Sequence, residues 1–232
     1  LWYERPAEWF EEALPIGNGT SGATVFGGVL KDSIMLNDAT LWSGEPVKAD
    51  MNPDAYKNLP AIRDALRRED YRAADSLNRN LQGKFSESFA PLGNLIINFN
   101  PSGNISGYHR ELDLKQAIAN VQYQAGGVRY LREYFVSRPN RVMVMKLTSD
   151  KPTALSFGIH FNSQLKYKTS NERQTLVASG YAPVHAAPSY LGNLPDAVVF
   201  DETKGTRFVV RIHVQAKDGK TIVTKDAIRV TA

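Results

Sequence analysis

The 232-residue chain carries 28 Lys and Arg against 24 Asp and Glu, and 42% of its residues are hydrophobic. That apolar content excludes a disordered chain, and a net charge of +4 with acids interleaved leaves no nucleic-acid footprint. There is no cysteine, so disulfides, zinc–thiolate sites and cysteine nucleophiles are excluded, and no apolar run approaches the roughly 20 residues of a membrane-spanning helix.

The chain opens at Leu1 with neither Met nor a leader-like stretch, and Ala227 to Ala232 reads as a strand that stops. A cut or processed product, trimmed at both ends, is expected. Gly17-Asn18-Gly19-Thr20-Ser21-Gly22 matches the G-x-G-x-x-G dinucleotide fingerprint. That motif works only where a helix follows and its N–H groups meet the pyrophosphate. Here Ala23 to Gly28 looks extended, so the segment reads as a glycine-rich connection with unusual backbone conformations.

Residues 58–82 stand apart as helical. Asn58 is the expected cap, with Pro60 in the first turn, where a missing N–H costs little. Ile62 and Leu66 form one stripe; after a break near Asp70, Ala73, Leu77 and Leu81 form another, ended by Gly83. Arg63, Arg67, Arg72 and Arg79 alternate with Asp64, Glu69, Asp70 and Asp75, the pattern of a solvated helix face.

The remainder reads as strands. Leu95, Ile97 and Phe99 share one face. Val121 and Tyr123 lead into Gly126-Gly127, after which Val128, Tyr130, Arg132, Tyr134 and Val136 alternate, a hairpin signature. Residues 142–147 and 155–161 are further strands, separated by Asp150-Lys151-Pro152. Phe208, Val210, Ile212 and Val214 point inward from 207–215, and Asp218-Gly219 turns the chain before 221–223. Many short strands with turns between them predict a sandwich or barrel, and a single domain with a helical insertion is the economical organisation.

Hydrolysis of a glycosidic bond needs two carboxyl groups, or one with a positioned base, flanking the sugar. Asp38, Glu45, Glu111, Asp113 and Glu133 lie nearest to aromatic or glycine-rich segments, but no spacing makes any two of them a pair. Arg132 and Glu133 point to opposite faces of their strand. His109, His160, His185 and His213 form no metal-ligand spacing, and His213 is expected to face outward. No metal site, cofactor or catalytic residue is assigned. Trp2, Tyr3, Trp9 and Trp42 suit either stacking on sugar rings or anchoring a core or interface.

The order of certain blocks carries a resemblance. Leu1-Trp2-Tyr3 with Pro6-Ala7, then Glu12-Ala13-Leu14-Pro15-Ile16-Gly17-Asn18-Gly19, then 36–46 (Leu-Asn-Asp-Ala-Thr-Leu-Trp-Ser-Gly-Glu-Pro) open the series. Pro91-Leu92-Gly93-Asn94-Leu95, residues 108–114 and 132–139, Gly180 to His185, Pro188-Ser189-Tyr190 and residues 200–208 complete it. In this order they resemble the amino-terminal part of glycoside hydrolase family 95, across essentially the whole chain. Asn94 stands where that family often has Asp, Thr20 and Ser21 where an Arg and a Leu or similar residue are common, and Ala39 where Glu or another polar residue is common.

The resemblance implies an all-β fold: a large two-sheet antiparallel super-sandwich over 1–232, with the short helical insertion at about 58–82. It implies a parent that hydrolyses terminal α-L-fucose from glycans with inversion, some members preferring α-L-galactose. The catalytic residues would lie in an (α/α)₆ barrel absent from this chain, so none is carried over. The barrel is the expected partner, with glycans beside it and neither nucleic acid nor membrane, in a secreted or periplasmic bacterial setting. The leading expectation is a non-catalytic accessory domain. An independent carbohydrate-binding module and a domain of a related sugar phosphorylase stand as alternatives. Segments 16–22, 36–46 and the stretch around His185 and Tyr190 are expected to cluster on one edge, with Asn18, Asn37, Trp42, His185 and Tyr190 facing a partner domain or a glycan. Asn18 and Asn37 are expected to satisfy nearby backbone groups.

Overall fold

The computed structural model describes residues 1–46, 51–83 and 85–231. Alternating side chains generate its strands, taken here in chain order. β1 (Trp2–Tyr3), β2 (Leu14–Gly17), β3 (Ser21–Val25) and β4 (Lys31–Asp38) precede the helices α1 (Leu59–Arg67) and α2 (Tyr71–Asn78). Then come β5 (Gly93–Phe99), β6 (Ile105–Asp113), β7 (Ile118–Ala125), β8 (Val128–Ser137) and β9 (Val142–Ser149). β10 (Phe157–Asn162), β11 (Lys166–Asn171), β12 (Thr175–Tyr181) and β13 (His185–Ala186) follow. β14 (Val198–Val199), β15 (Arg207–His213), β16 (Lys220–Val223) and β17 (Ala227–Thr231) complete the series, with Ala232 outside the described residues.

Two large antiparallel sheets dominate, a five-stranded one ordered β1-β6-β7-β8-β9 and a seven-stranded one ordered β16-β17-β10-β5-β4-β3-β2. A three-stranded sheet, β11-β12-β15, and the pair β13-β14 add to the expected two. Leu14, Val25, Ile34, Leu95 and Ile97 from the seven-stranded sheet share one core with Val121, Tyr123 and Tyr134 from the five-stranded sheet. Leu176, Phe208 and Ile212 of the three-stranded sheet close the same core.

The β7–β8 hairpin forms where the sequence places it. Gly126 and Gly127 have φ of +57° and +74°, the paired positive values of a type I′ turn, whose twist matches the flanking strands. A Cβ on Gly126 would lie 2.4 Å from the Ser102 carbonyl oxygen. Gly126→Ala therefore combines backbone strain with overlap and is expected to cost more than about 1 kcal/mol, read as a lower urea midpoint at unchanged slope.

The turn at Asp218-Gly219 does not join a hairpin. β15 pairs with β12, whereas β16 pairs with β17, so this connection carries the chain from the three-stranded to the seven-stranded sheet.

The helical segment also departs from its stripe. The residues buried are Ile62, Ala65 and Ala74, while Leu66 is exposed, because both helices are too short to bury a wide face. Asn58 makes no cap: a 3₁₀ turn, Ala55–Asn58, runs directly into α1, and the Asn58 amide donates to the Ala55 carbonyl. Asp70 is a true cap, its carboxylate accepting the Ala73 N–H.

At the heart of the core lies charge. Arg132 takes an inward position between Tyr130 and Tyr134 and is 2% exposed, and Asp32 is fully buried. The guanidinium donates to the Gly28 and Val29 carbonyls and to the Tyr123 hydroxyl, and lies 3.6 Å over the Phe99 ring. Its Nη1 is 3.4 Å from Asp32 Oδ2, which also accepts the Tyr134 hydroxyl, while Oδ1 accepts the Gly27 and Gly28 amides. Burial pushes the Asp32 carboxyl upward against the pull of Arg132 and these donors. The network ties the loop 27–29 to β7 and β8 through filled hydrogen bonds.

Candidate functional site

The glycine-rich segment is a β-hairpin. β2 and β3 pair with Gly17 opposite Gly22, and Asn18 closes the turn by accepting the Thr20 and Ser21 N–H groups on its side-chain oxygen. Its amide reaches the Ser137 carbonyl, so Asn18 satisfies backbone groups on two sheets. Asn37 sits opposite Gly22 on β4, yet its side-chain oxygen is buried with no hydrogen-bond partner among the described residues. The backbone-satisfying role expected of Asn37 therefore does not appear for this oxygen.

From this hairpin the contacts run continuously. The Ser21 hydroxyl donates to Asp38, which also accepts the Thr40 hydroxyl and N–H; the Thr40 hydroxyl above all holds the Asp38 carboxyl below the usual range. The Trp42 indole N–H donates to the Ala39 carbonyl, and its ring meets Phe89 edge to face at 5.8 Å. Trp42 remains 44% exposed. A core role for the tryptophans is excluded, since Trp2 and Trp9 are more exposed still.

Glu87 joins three segments. Its Oε2 accepts the Ser43 hydroxyl at 2.8 Å and the Ala186 N–H at 2.9 Å, and its Oε1 lies 3.0 Å from His185 Nδ1. The Ser88 N–H donates to the Ser43 hydroxyl, the Ser88 hydroxyl to the Ala186 carbonyl, and the Gly44 N–H to the Pro183 carbonyl. Gly44 has φ +107°, and a Cβ there would come within 2.8 Å of Glu87, so only glycine permits this approach. Burial pushes the Glu87 carboxyl up, but the Ala186 N–H, Ser43 and His185 outweigh it and hold it below the usual range. The partly exposed His185 ring turns its Nδ1 to Glu87, and the Phe85 ring lies 5.7 Å from it. Tyr190, in the 3₁₀ turn Ser189–Leu191, is 77% exposed. The structure thus links Asn18, Asn37, Trp42 and His185 in one strip, with Tyr190 five residues beyond His185.

Each of the remaining carboxylate candidates has partners of its own. Glu133 pairs with Lys146, Glu45 with Lys204, and Glu111 with His109 and Asn120; Asp113 accepts the N–H groups of Lys115 and Gln116. His213 faces outward beside Thr175, as expected. Among the described residues no group of His, Asp and Glu side chains is arranged to hold a metal ion. Sequence reading passed over Glu87, which lies in a plain Ser-Glu-Ser run. Its importance comes from Ser43 and His185, 44 and 98 residues away.

The sequence matches the family described as "Glycosyl hydrolase family 65, N-terminal domain" over residues 1–232. It is 31% identical over 229 residues to alpha-L-fucosidase 2 of Arabidopsis thaliana, covering 96% of this chain and 27% of that protein. Against probable alpha-fucosidase A of Aspergillus niger it is 30% identical over 171 residues, covering 68% and 21%. The Aspergillus oryzae protein of the same name is 30% identical over 157 residues, covering 64% and 21%. The chain therefore spans about a quarter of the length of the curated relatives it matches.

Proposed function

This chain belongs to the glycosyl hydrolase family 65 N-terminal domain family, related to the amino-terminal region of α-L-fucosidases, and from that premise we propose that it is the non-catalytic accessory domain of an α-L-fucosidase-like glycoside hydrolase. The full enzyme would remove terminal fucose from glycans with inversion, the chemistry residing in an (α/α)₆ barrel outside this chain. The strip from Asn18 to His185 packs against that barrel, and the exposed Tyr190, five residues further along the chain, joins that contact. One observation carries this reading: Glu87 locks segments 43–44, 87–88 and 185–186 together while Trp42, Phe85, Phe89 and Tyr190 stay exposed. Fixed backbone with bare aromatic faces is the composition of an interface centre. The separately partnered carboxylates support a non-catalytic role, because hydrolysis needs two converging groups.

The purified 232-residue chain is expected to show no turnover of a 4-nitrophenyl α-L-fucoside above the buffer blank. Turnover abolished by Glu133→Gln or Asp38→Asn overturns the proposal. The exposed rings of Trp42 and Tyr190 favour a second reading, an independent carbohydrate-binding module. Calorimetry with a fucosylated oligosaccharide separates the two: saturable heat lost in Trp42→Ala supports the module, and its absence supports the accessory domain.

A further inference from the structure

Alternation along β7 and β8 turns Val121, Tyr123, Tyr130 and Arg132 into the core. Gln122, Gln124, Arg129 and Leu131 therefore project from the outer face of the five-stranded sheet, where all four are exposed. Strand register sets them in two rows. Gln122 lies opposite Leu131, which lies opposite Thr148 on β9. Gln124 lies opposite Arg129, whose carbonyl accepts the Asp150 N–H.

The two rows line a groove of about 440 Å³, within the roughly 300–1,000 Å³ of small-molecule sites. Its floor is the strand at Tyr123 and Tyr130, whose rings stack on each other in the core. On the β6 side the register slips between Ser106 and His109, and Gly107, within that slip, lines the groove without a side chain. A Cβ at Gly107 would meet nothing within 4 Å, so the groove stays open at this irregularity.

The next row along the same sheet is satisfied internally: Glu133 pairs with Lys146, and Glu111 with His109 and Asn120. In the groove, by contrast, neither the Gln122 nor the Gln124 side-chain amide makes a hydrogen bond among the described residues. The two charges present cancel. Arg129 Nε donates to Asp150 Oδ2 at 3.0 Å, and Asp150 Oδ1 accepts the Arg129 N–H. Leu131 supplies an apolar patch between Gln122 and Thr148.

This lining selects among ligand classes. An anion must compete with Asp150 for Arg129, and a cation must compete with Arg129 for Asp150. An apolar molecule covers both amides without giving them partners, which is costly. A neutral polyhydroxylated ring meets every group: its hydroxyls both donate to and accept from the amides, and its C–H face rests on Leu131.

We propose that this groove on the outer face of the five-stranded sheet binds a short neutral saccharide, held by Gln122 and Gln124 and seated on Leu131. The site shares no residue with the Trp42–His185 strip and stands independently of the function proposed above.

Nuclear magnetic resonance titration of the 232-residue chain with fucosyllactose, maltotriose and cellotriose tests the proposal. At least one of these sugars is expected to saturate at millimolar concentration or below, shifting the Gln122 and Gln124 side-chain amides and the backbone at 129–131. Gln122→Ala and Gln124→Ala change exposed positions, and each is expected to weaken binding about fivefold, the worth of one neutral hydrogen bond. Trp42→Ala is expected to leave the affinity unchanged, which separates this site from glycan binding at the other strip. Added salt is expected to leave it unchanged too, because the ligand carries no charge. No saturable shift with any of the three sugars overturns the proposal, as do shifts confined to Trp42 and Tyr190 or binding that salt abolishes. Shifts of these amides that grow with the concentration of the chain alone assign the face to a second copy and equally overturn it.

Discussion

Replacing Arg132 with Met is expected to lower the unfolding free energy by about 3–5 kcal/mol, the largest effect of any single change considered for this domain. The guanidinium is 2% exposed and donates to the carbonyls of Gly28 and Val29 and to Tyr123. Its loss leaves those acceptors short of donors and strands the Asp32 carboxylate in the core without a counter-charge. Asp32 is already pushed upward by burial, and without Arg132 its folded-state value rises further. A carboxyl whose folded value exceeds its unfolded value favours folding below the unfolded value and loses that contribution as pH rises through the folded one. The deficit of Arg132→Met is therefore greatest at neutral pH and shrinks toward acid. Adding Asp32→Asn, which removes the charge yet keeps an acceptor for the Gly27 and Gly28 amides, recovers part of the loss. Urea unfolding of the single and double variants at two pH values measures all three effects.

Glu87→Ala is expected to cost about 2–3 kcal/mol, concentrated in the strip. The carboxylate accepts from Ser43, Ala186 and His185, and Ser43 is buried, so truncation strands a hydroxyl as well as removing three hydrogen bonds. Exchange of the Ala186 and Gly44 amides accelerates, while the β7–β8 hairpin is unaffected. The acid dependence follows from the depressed Glu87 carboxyl. Its stabilisation is present above the ordinary glutamate value and is lost as pH falls through the lower folded value. In the wild-type chain the strip loosens under acid ahead of the sandwich, and in Glu87→Ala this acid step disappears. An Ala186 protection profile unchanged by pH in the wild type contradicts the assignment.

Local signals made much of this fold legible. The Gly126-Gly127 turn, the alternation across it and the break at Asp70 are short-range features, and each appears where the sequence places it. The G-x-G-x-x-G match was separable from a nucleotide loop because the residues after it extend into β3. The motif blocks pointed to the α-L-fucosidase family, and the relatives found are named alpha-fucosidases.

Long-range pairing was not legible. Asp218-Gly219 looks like a hairpin turn, but whether β16 pairs with β15 or with β17 depends on partners elsewhere in the chain. Arg132 stood in the inward row of its strand, yet an arginine there is tolerated only because Asp32, 100 residues away, and the carbonyls of Gly28 and Val29 wait for it. Glu87 was invisible for the same reason.

The accessory-domain account is tested most directly by hydroxyl-radical footprinting of Trp42, Phe85 and Tyr190, compared between the 232-residue chain and the longer fucosidase-like polypeptide. All three side chains are open here, Tyr190 at 77%. The account predicts ready modification in the 232-residue chain and strong suppression at all three in the longer polypeptide. Equal modification of the three residues in both polypeptides would contradict it.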